Sequence, residues 1–203
     1  VIPGDGEGLG TSMKTNSRTI ENAPPTILEI SLESAPIGGM QSPPDSLSDL
    51  LVISRTDDPD DGTAELDYSW SRDGFIVSDL EGEDRVNSTR LEPGQIWEVV
   101  VTATDPWGLA TNLSASVTIA NLPPVPLWAT SPSPSLPGAT VTFDASSSFD
   151  PDGEISSYLW SINGVEVSGV TVDVILGPGP HSISLTVVDD MQETQSSVSA
   201  IVH

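Results

Sequence analysis

Apolar and polar residues alternate along this chain in short runs. Residues 96–104 read IWEVVVTAT and residues 181–189 read HSISLTVVD, and similar runs rich in Val, Ile, Thr, Trp and Tyr recur throughout. Gly, Pro, Asp, Asn and Ser separate them. Period-two runs bounded by turn formers predict strands with one buried face. No segment sustains a capped helical period, and 18 Pro and 17 Gly break any that starts. In the first half, strands are predicted near 26–33, 50–54, 64–72, 75–79, 86–91, 95–104 and 110–119. In the second they are predicted near 125–131, 139–144, 155–163, 165–168, 170–176, 180–188 and 194–202. Such a series of short strands with a turn every ten residues or so predicts a two-sheet antiparallel sandwich.

The two halves repeat one another. Gly94 and Gly179 follow Pro93 and Pro178 in matching turns, L-E-P-G and L-G-P-G. A further echo lies upstream. Gly8-Leu9 matches Gly108-Leu109, Thr19-Ile20 matches Thr118-Ile119, and Asn22-x-Pro-Pro matches Asn121-x-Pro-Pro, at an offset of 100 falling to 99 residues. A period of that length is one domain. The expected fold class is all-β: two tandem antiparallel immunoglobulin-like β-sandwiches preceded by a single orphan strand. Residues 1–21 are expected to be the terminal strand of a preceding repeat, residues 22–120 the first repeat and residues 121–203 the second. The linkers Asn22–Pro25 and Ala120–Pro126 are proline-rich, so each joint is expected to be short and stiff.

Charge narrows the partners. Thirty acidic and six basic residues give a net charge of −24, and every Lys and Arg lies within the first 90 residues. Such a surface repels phosphate backbones and anionic lipid, which argues against nucleic-acid binding and membrane-surface binding. No apolar run reaches the roughly 18 residues that a membrane-crossing helix needs. There is no cysteine and no visible signal peptide, as expected of a mature form or a fragment. The acidity has two readings, solubility in a salty medium and divalent-cation binding by clustered carboxylates.

An acidic turn occurs in both repeats, Asp57-Asp58-Pro59-Asp60-Asp61-Gly62 and Asp150-Pro151-Asp152-Gly153. A Tyr-x-Trp follows each, at Tyr68-Ser69-Trp70 and Tyr158-Leu159-Trp160, and a strand-end Asp closes each series, at Asp105 and Asp189. The order N-x-P-P, D-P-D-G, Y-x-W, P-G, T-V-x-D resembles the polycystic-kidney-disease (PKD) domain. That family is an immunoglobulin-like sandwich of surface layers, adhesins and secreted hydrolases of archaea and bacteria. The match covers 121–203 best and departs at Ser161-Ile162-Asn163-Gly164, where the family carries W-x-F-G-D-G. The first repeat is looser, with 36 residues from Asn22 to Asp58 against 29 from Asn121 to Asp150.

The resemblance implies calcium held by Asn121, Asp150, Asp152 and Asp189, and in the first repeat by Asn22, Asp58, Asp60 and Asp105. Calcium takes six to eight hard oxygens, and a D-x-D-G turn converges two carboxylates, with Gly permitting the backbone to fold. Asp-Pro-Asp-Gly is also ordinary turn chemistry, which leaves a purely structural reading open. Trp70 and Trp160 are expected in the core. Trp97, Trp107 and Trp128 leave three roles open: an inter-domain or inter-subunit contact, ordinary packing, or stacking on a sugar ring. Asn87-Ser88-Thr89 and Asn112-Leu113-Ser114 are sequons, making Asn87 and Asn112 candidate glycan acceptors. The chain has two His, no Cys and no G-x-S-x-G, H-E-x-x-H or phosphate loop, so no enzyme is expected.

The expected function is therefore non-enzymatic and extracellular: a structural repeat protein of a cell-surface fibre or array. Its expected partners are copies of itself or neighbouring repeats, and residues 1–21 are candidates for strand donation between subunits. The alternative is a carbohydrate- or protein-binding accessory module of a secreted hydrolase or adhesin, with a glycan as partner.

Overall fold

The computed structural model describes residues 21–35, 43–60, 63–131, 138, 140–192, 194–196 and 200–202. The first half forms β1 (Thr26–Ser34), β2 (Leu50–Asp57), β3 (Glu65–Arg72), β4 (Phe75–Ile76), β5 (Arg85–Val86), β6 (Ile96–Thr104) and β7 (Ala110–Thr118). The second forms β8 (Ala129–Ser131), β9 (Thr140–Asp144), β10 (Ile155–Ile162), β11 (Val165–Ser168), β12 (Thr171–Ile175), β13 (His181–Asp189), β14 (Thr194–Ser196) and β15 (Ala200–Val202). The first half pairs β1-β2-β5 in one sheet and β4-β3-β6-β7 in the other. The second repeats that order strand for strand, as β8-β9-β12 and β11-β10-β13-β14, with β15 also on β13. All of these ladders are antiparallel, and the chain is two immunoglobulin-like β-sandwiches. Residues 1–20, which carry most of the expected orphan strand, lie outside the described residues.

Alternation sets the register. Along β6, Trp97, Val99, Val101 and Ala103 turn inward, and along β13, Ile183, Leu185 and Val187 do. Because side chains alternate faces, a one-residue slip would turn each set to solvent, so burial fixes the pairing. β6 pairs with β3 from Arg72↔Trp97 to Glu65↔Thr104 and with β7 from Ile96↔Thr118 to Thr104↔Ala110. Each sandwich has its own core, one built on Leu50, Trp70, Trp97, Val99 and Val101, the other on Val141, Phe143, Trp160, Ile183 and Leu185.

Trp70 and Trp160 occupy the positions expected of them. Each is buried, and each donates its indole N–H to a backbone carbonyl, Glu83 O at 2.8 Å and Gly169 O at 2.9 Å. Two of the unassigned tryptophans also join the cores. Trp97 is fully buried and meets Trp70 edge-on at 6.2 Å. Trp128 packs on Phe143 and Trp160 at 6.0 and 5.8 Å. Trp107 alone of the five stands exposed.

Three expected strands are shorter than their patterns suggested. The 86–91 run keeps two strand residues in β5, because the Asn87 side chain accepts the Thr89 N–H and caps a 3₁₀ turn at Ser88–Arg90. The 75–79 run ends after Ile76 in a second 3₁₀ turn, Ser78–Leu80. The 125–131 run is a strand only from Ala129. Val125 instead makes an isolated bridge to Phe149, and Pro126 brings no N–H to extend it.

Trp160→Ala is expected to cost about 3–5 kcal/mol, from lost packing and the cavity left behind. It also strips the Gly169 carbonyl of its donor. Trp107→Ala is expected to cost less than about 0.5 kcal/mol, as for an exposed side chain. Urea unfolding of the two variants checks the ordering, and equal destabilisation would contradict the packing described.

Candidate metal centre where each linker meets its sandwich

The alternation of β6 and β13 continues one step beyond the apolar residues. The next inward position after Val101 and Ala103 is Asp105, and after Leu185 and Val187 it is Asp189; the two are 4% and 0% exposed. A buried carboxylate needs donors. In both repeats the linker asparagine supplies one. Asn22 Nδ2 donates to Asp105 Oδ2 at 2.6 Å, and Asn121 Nδ2 donates to Asp189 Oδ2 at 2.8 Å.

The acidic turn closes over the same spot. Asp60 N–H donates to Asp58 Oδ1 at 3.0 Å, and Asp152 N–H to Asp150 Oδ1 at 3.2 Å, so each turn is held by its own first aspartate. The second aspartate then grips the linker. Asp60 Oδ2 accepts Ala23 N–H at 2.5 Å, and Asp152 accepts Leu122 N–H at 3.2 and 3.3 Å. A backbone pair brings the linker alongside: Thr26 opposite Asp57 in the first sandwich, Val125 opposite Phe149 in the second. The structure thus brings together Asn22, Asp58, Asp60 and Asp105 in one set, and Asn121, Asp150, Asp152 and Asp189 in the other.

These sets are short of donors. The Asn22 and Asn121 Oδ1 atoms and Asp150 Oδ2 are buried with no hydrogen-bond partner. Among the described residues no three carboxylate or imidazole side chains converge closely enough to hold an ion alone. The carboxylates are nonetheless near enough to repel. Burial raises Asp150 above its ordinary 3.8, and the charges of Asp152 and Asp189 push it further. A site here therefore needs the asparagine oxygen among its ligands, and that oxygen is one of the unpartnered ones. Asp105 is balanced the other way. Burial works to raise it, but the Asn22 amide and the N–H groups of Leu109, Trp107 and Gly108 outweigh that and hold it below 3.8.

Gly153 has a different reason from the one its turn suggested. Its φ is not in the left-handed region, unlike that of Gly94 or Gly179. A Cβ there would stand 2.6 Å from Asp190 Oδ1 and 3.1 Å from Asp150 Oδ2, so the requirement is close approach. Its counterpart Gly62 lies outside the described residues. Sequence reasoning missed two contributors. Asp190 accepts Glu154 N–H at 3.2 Å, and Ser46 Oγ reaches from the first sandwich to Asp152 Oδ2 at 3.0 Å. Asp190 directly follows a singled-out residue and was findable; Ser46, 106 residues from its partner, carried no signal. The two sequon asparagines are exposed, Asn87 on its 3₁₀ cap and Asn112 on β7.

No protein-family model matches the chain, and no curated protein does. Several solved structures are similar to it in part. They include carbohydrate-binding modules of the β-sandwich superfamily described as promiscuous in specificity, at 29% identity over 40% of this chain and 34% of that one, TM-score 0.38. The fibronectin(III)-like modules of Clostridium thermocellum CbhA match at 13% over 86% and 94%, TM-score 0.34. The Bacteroides ovatus mixed-linkage glucan utilization protein SGBP-B, solved with a mixed-linkage heptasaccharide, matches at 15% over 91% and 48%, TM-score 0.31. The chain spans about a third of the length of the first of these.

The two pKa shifts predict opposite stability signs. The lowered Asp105 stabilises the fold above its ordinary 3.8, and that contribution is lost as pH falls through its folded value. The raised Asp150 contributes below 3.8 and loses that contribution as pH rises through its folded value. In chelator near pH 7, Asp150→Asn is expected to raise the melting temperature and Asp105→Asn to lower it, the first effect fading as pH falls to 3.8 and the second only below 3.8. Thermal melts across pH check this, and a destabilising Asp150→Asn would refute the assignment.

Proposed function

We propose that this chain is a non-catalytic extracellular spacer, a structural repeat segment of a cell-surface fibre or array, with calcium holding each linker to its sandwich. The observation that carries the reading is that Asn121 Oδ1 and Asp150 Oδ2 are both buried and unpartnered in a set where Asp152 and Asp189 repel Asp150. A cation satisfies buried acceptors among carboxylates, and a further acceptor does not. In the second repeat Asn121, Asp150, Asp152 and Asp189 would hold the ion; in the first, Asn22, Asp58, Asp60 and Asp105 would. The ion supplies positive charge where carboxylates repel, and all of these ligands are oxygens, as calcium prefers. Asn22 and Asn121 belong to the linkers, so ion binding and joint stiffness are the same event. The resemblance to PKD domains supports the reading, and the net charge of −24 suits a surface exposed to salt and divalent cations.

Strand donation is the means of assembly that the sequence suggests. The last-strand place of the first sandwich is filled by its own β7, paired along all nine residues of β6. A donated strand therefore needs an acceptor other than that edge. The accessory-module reading has one observation in its favour, the exposed indole of Trp107.

Extracellular calcium sites have dissociation constants of about 10⁻⁴–10⁻³ M, so ~10 mM calcium is expected to stabilise by about 1.4–2.7 kcal/mol per site. The melting temperature should rise by roughly 5–20 °C over that in chelator. Asp150→Asn should lose the part of the rise that belongs to the second site. An unchanged wild-type melt refutes the ion reading. Deleting residues 1–21 is expected to weaken assembly seen by negative-stain microscopy, and undiminished filaments would refute strand donation.

A further inference from the structure

The joint between the two sandwiches shows what each end of a sandwich uses to meet its neighbour. Met191, in the turn after β13, brings its Cε to 3.2 Å from the point where a Cβ on Gly94 would stand. Gly94 closes the Leu91-Glu92-Pro93-Gly94 turn of the first sandwich with φ +81°, and its missing side chain is what lets the thioether approach. Ser46 adds its bond to Asp152, and Ala120 N–H donates to Pro44 O at 2.7 Å.

Each half of that joint has a counterpart elsewhere on the chain. The turn at 105–108 repeats the turn at 189–192. Both start at the buried strand-end Asp, and both close by a bond from the fourth residue's N–H to the Asp carbonyl, Gly108 to Asp105 at 3.1 Å and Gln192 to Asp189 at 3.4 Å. Both hold that fourth residue at positive φ, +90° and +71°. The third residue is Met191 in one and Trp107 in the other, and Trp107 is 61% exposed. Asp60 holds Ala23 N–H as Asp152 holds Leu122 N–H, so the linker enters the same way. The other half also recurs. Leu176-Gly177-Pro178-Gly179 is the counterpart of 91–94, with Gly179 at φ +107°. No described atom lies within 4 Å of where a Cβ on Gly177 or Gly179 would stand.

We propose that Trp107 docks on the Gly177–Gly179 turn of a second copy of this chain, so that the internal joint is repeated between molecules. An indole is larger than a thioether, and the recipient turn carries two glycines where the internal one carries a single glycine. The docking surfaces differ, so the contact is heterologous and propagates head to tail instead of closing a dimer. This deepens the spacer reading, on which it rests, by naming what the spacer's N-terminal face meets.

Sedimentation velocity of the full chain tests it, in chelator to make the result independent of calcium and in about 0.5 M salt to screen the net charge. Concentration-dependent association is expected. Trp107→Ser and Gly177→Glu are each expected to weaken it at least about tenfold, the scale of losing one well-packed aromatic anchor. An equimolar mixture of the two variants should recover heterodimers and nothing larger, since only one intact joint remains between them. Thermal melts matching wild type show that both variants fold. A wild-type chain that stays monomeric, a Trp107→Ser variant that associates undiminished, or a mixture without heterodimers overturns the proposal. So does a monomeric wild type retained on immobilised polysaccharide when Trp107→Ser is not, which assigns the indole to a glycan. Loss of the calcium-dependent melting shift sinks the ion reading and leaves this result untouched.

Discussion

The structure turns on a carboxylate that the β-alternation drives inward. In β6 and β13 the period-two pattern that buries Val, Leu and Ile runs on until it buries Asp105 and Asp189. A charge in that position must be met by donors, because leaving it unmet costs several kcal/mol. One donor in each repeat is the linker asparagine, Asn22 or Asn121, and that bond ties the entering chain to the strand end, while Trp107 and Leu109 N–H groups also serve Asp105. Once the linker is there, its next backbone N–H falls to the second aspartate of the acidic turn. The same solution appears twice because the same period and the same two residue types appear twice.

Meeting that need creates another. Asparagine donates to the aspartate through its Nδ2, and its carbonyl oxygen is left buried without a hydrogen-bond partner in both repeats. A short polar network that satisfies one buried acid thus leaves other acceptors unsatisfied, and in a low-dielectric setting that is costly. Aspartates that repel one another are kept in place by packing and turn geometry, and the proposed calcium site rests on that arrangement.

The joint has the same character. Among the described residues the contacts named across the joint are chemically modest, a serine hydroxyl on Asp152 and a methionine on a glycine turn, while Ala120 N–H ties the start of the linker to Pro44 O of the first sandwich. They act together because proline holds the linker extended. The proposed stiffness of the joint rests on this short, proline-restricted tether.

Much of this was legible in the residues. Alternation fixed the strands and hence the class of fold, since side-chain periodicity is local and burial enforces it. The repeat showed which aspartates and asparagines correspond, and the Tyr-x-Trp positions pointed to the cores. Other features were hidden. Asn87 shortened a strand because a side-chain cap competes with the ladder, a contest that composition does not resolve. Trp97 and Trp128 became core residues, and Trp107 did not, because packing across two sheets chooses among equally apolar side chains. Local sequence determined the strands, the turns and the inward phase of Asp105 and Asp189. Only the tertiary structure decided which oxygens lack partners, why Gly153 must be glycine, and that Ser46 and Met191 make the joint. Those facts depend on distances between residues far apart in the chain, and only folding sets such distances.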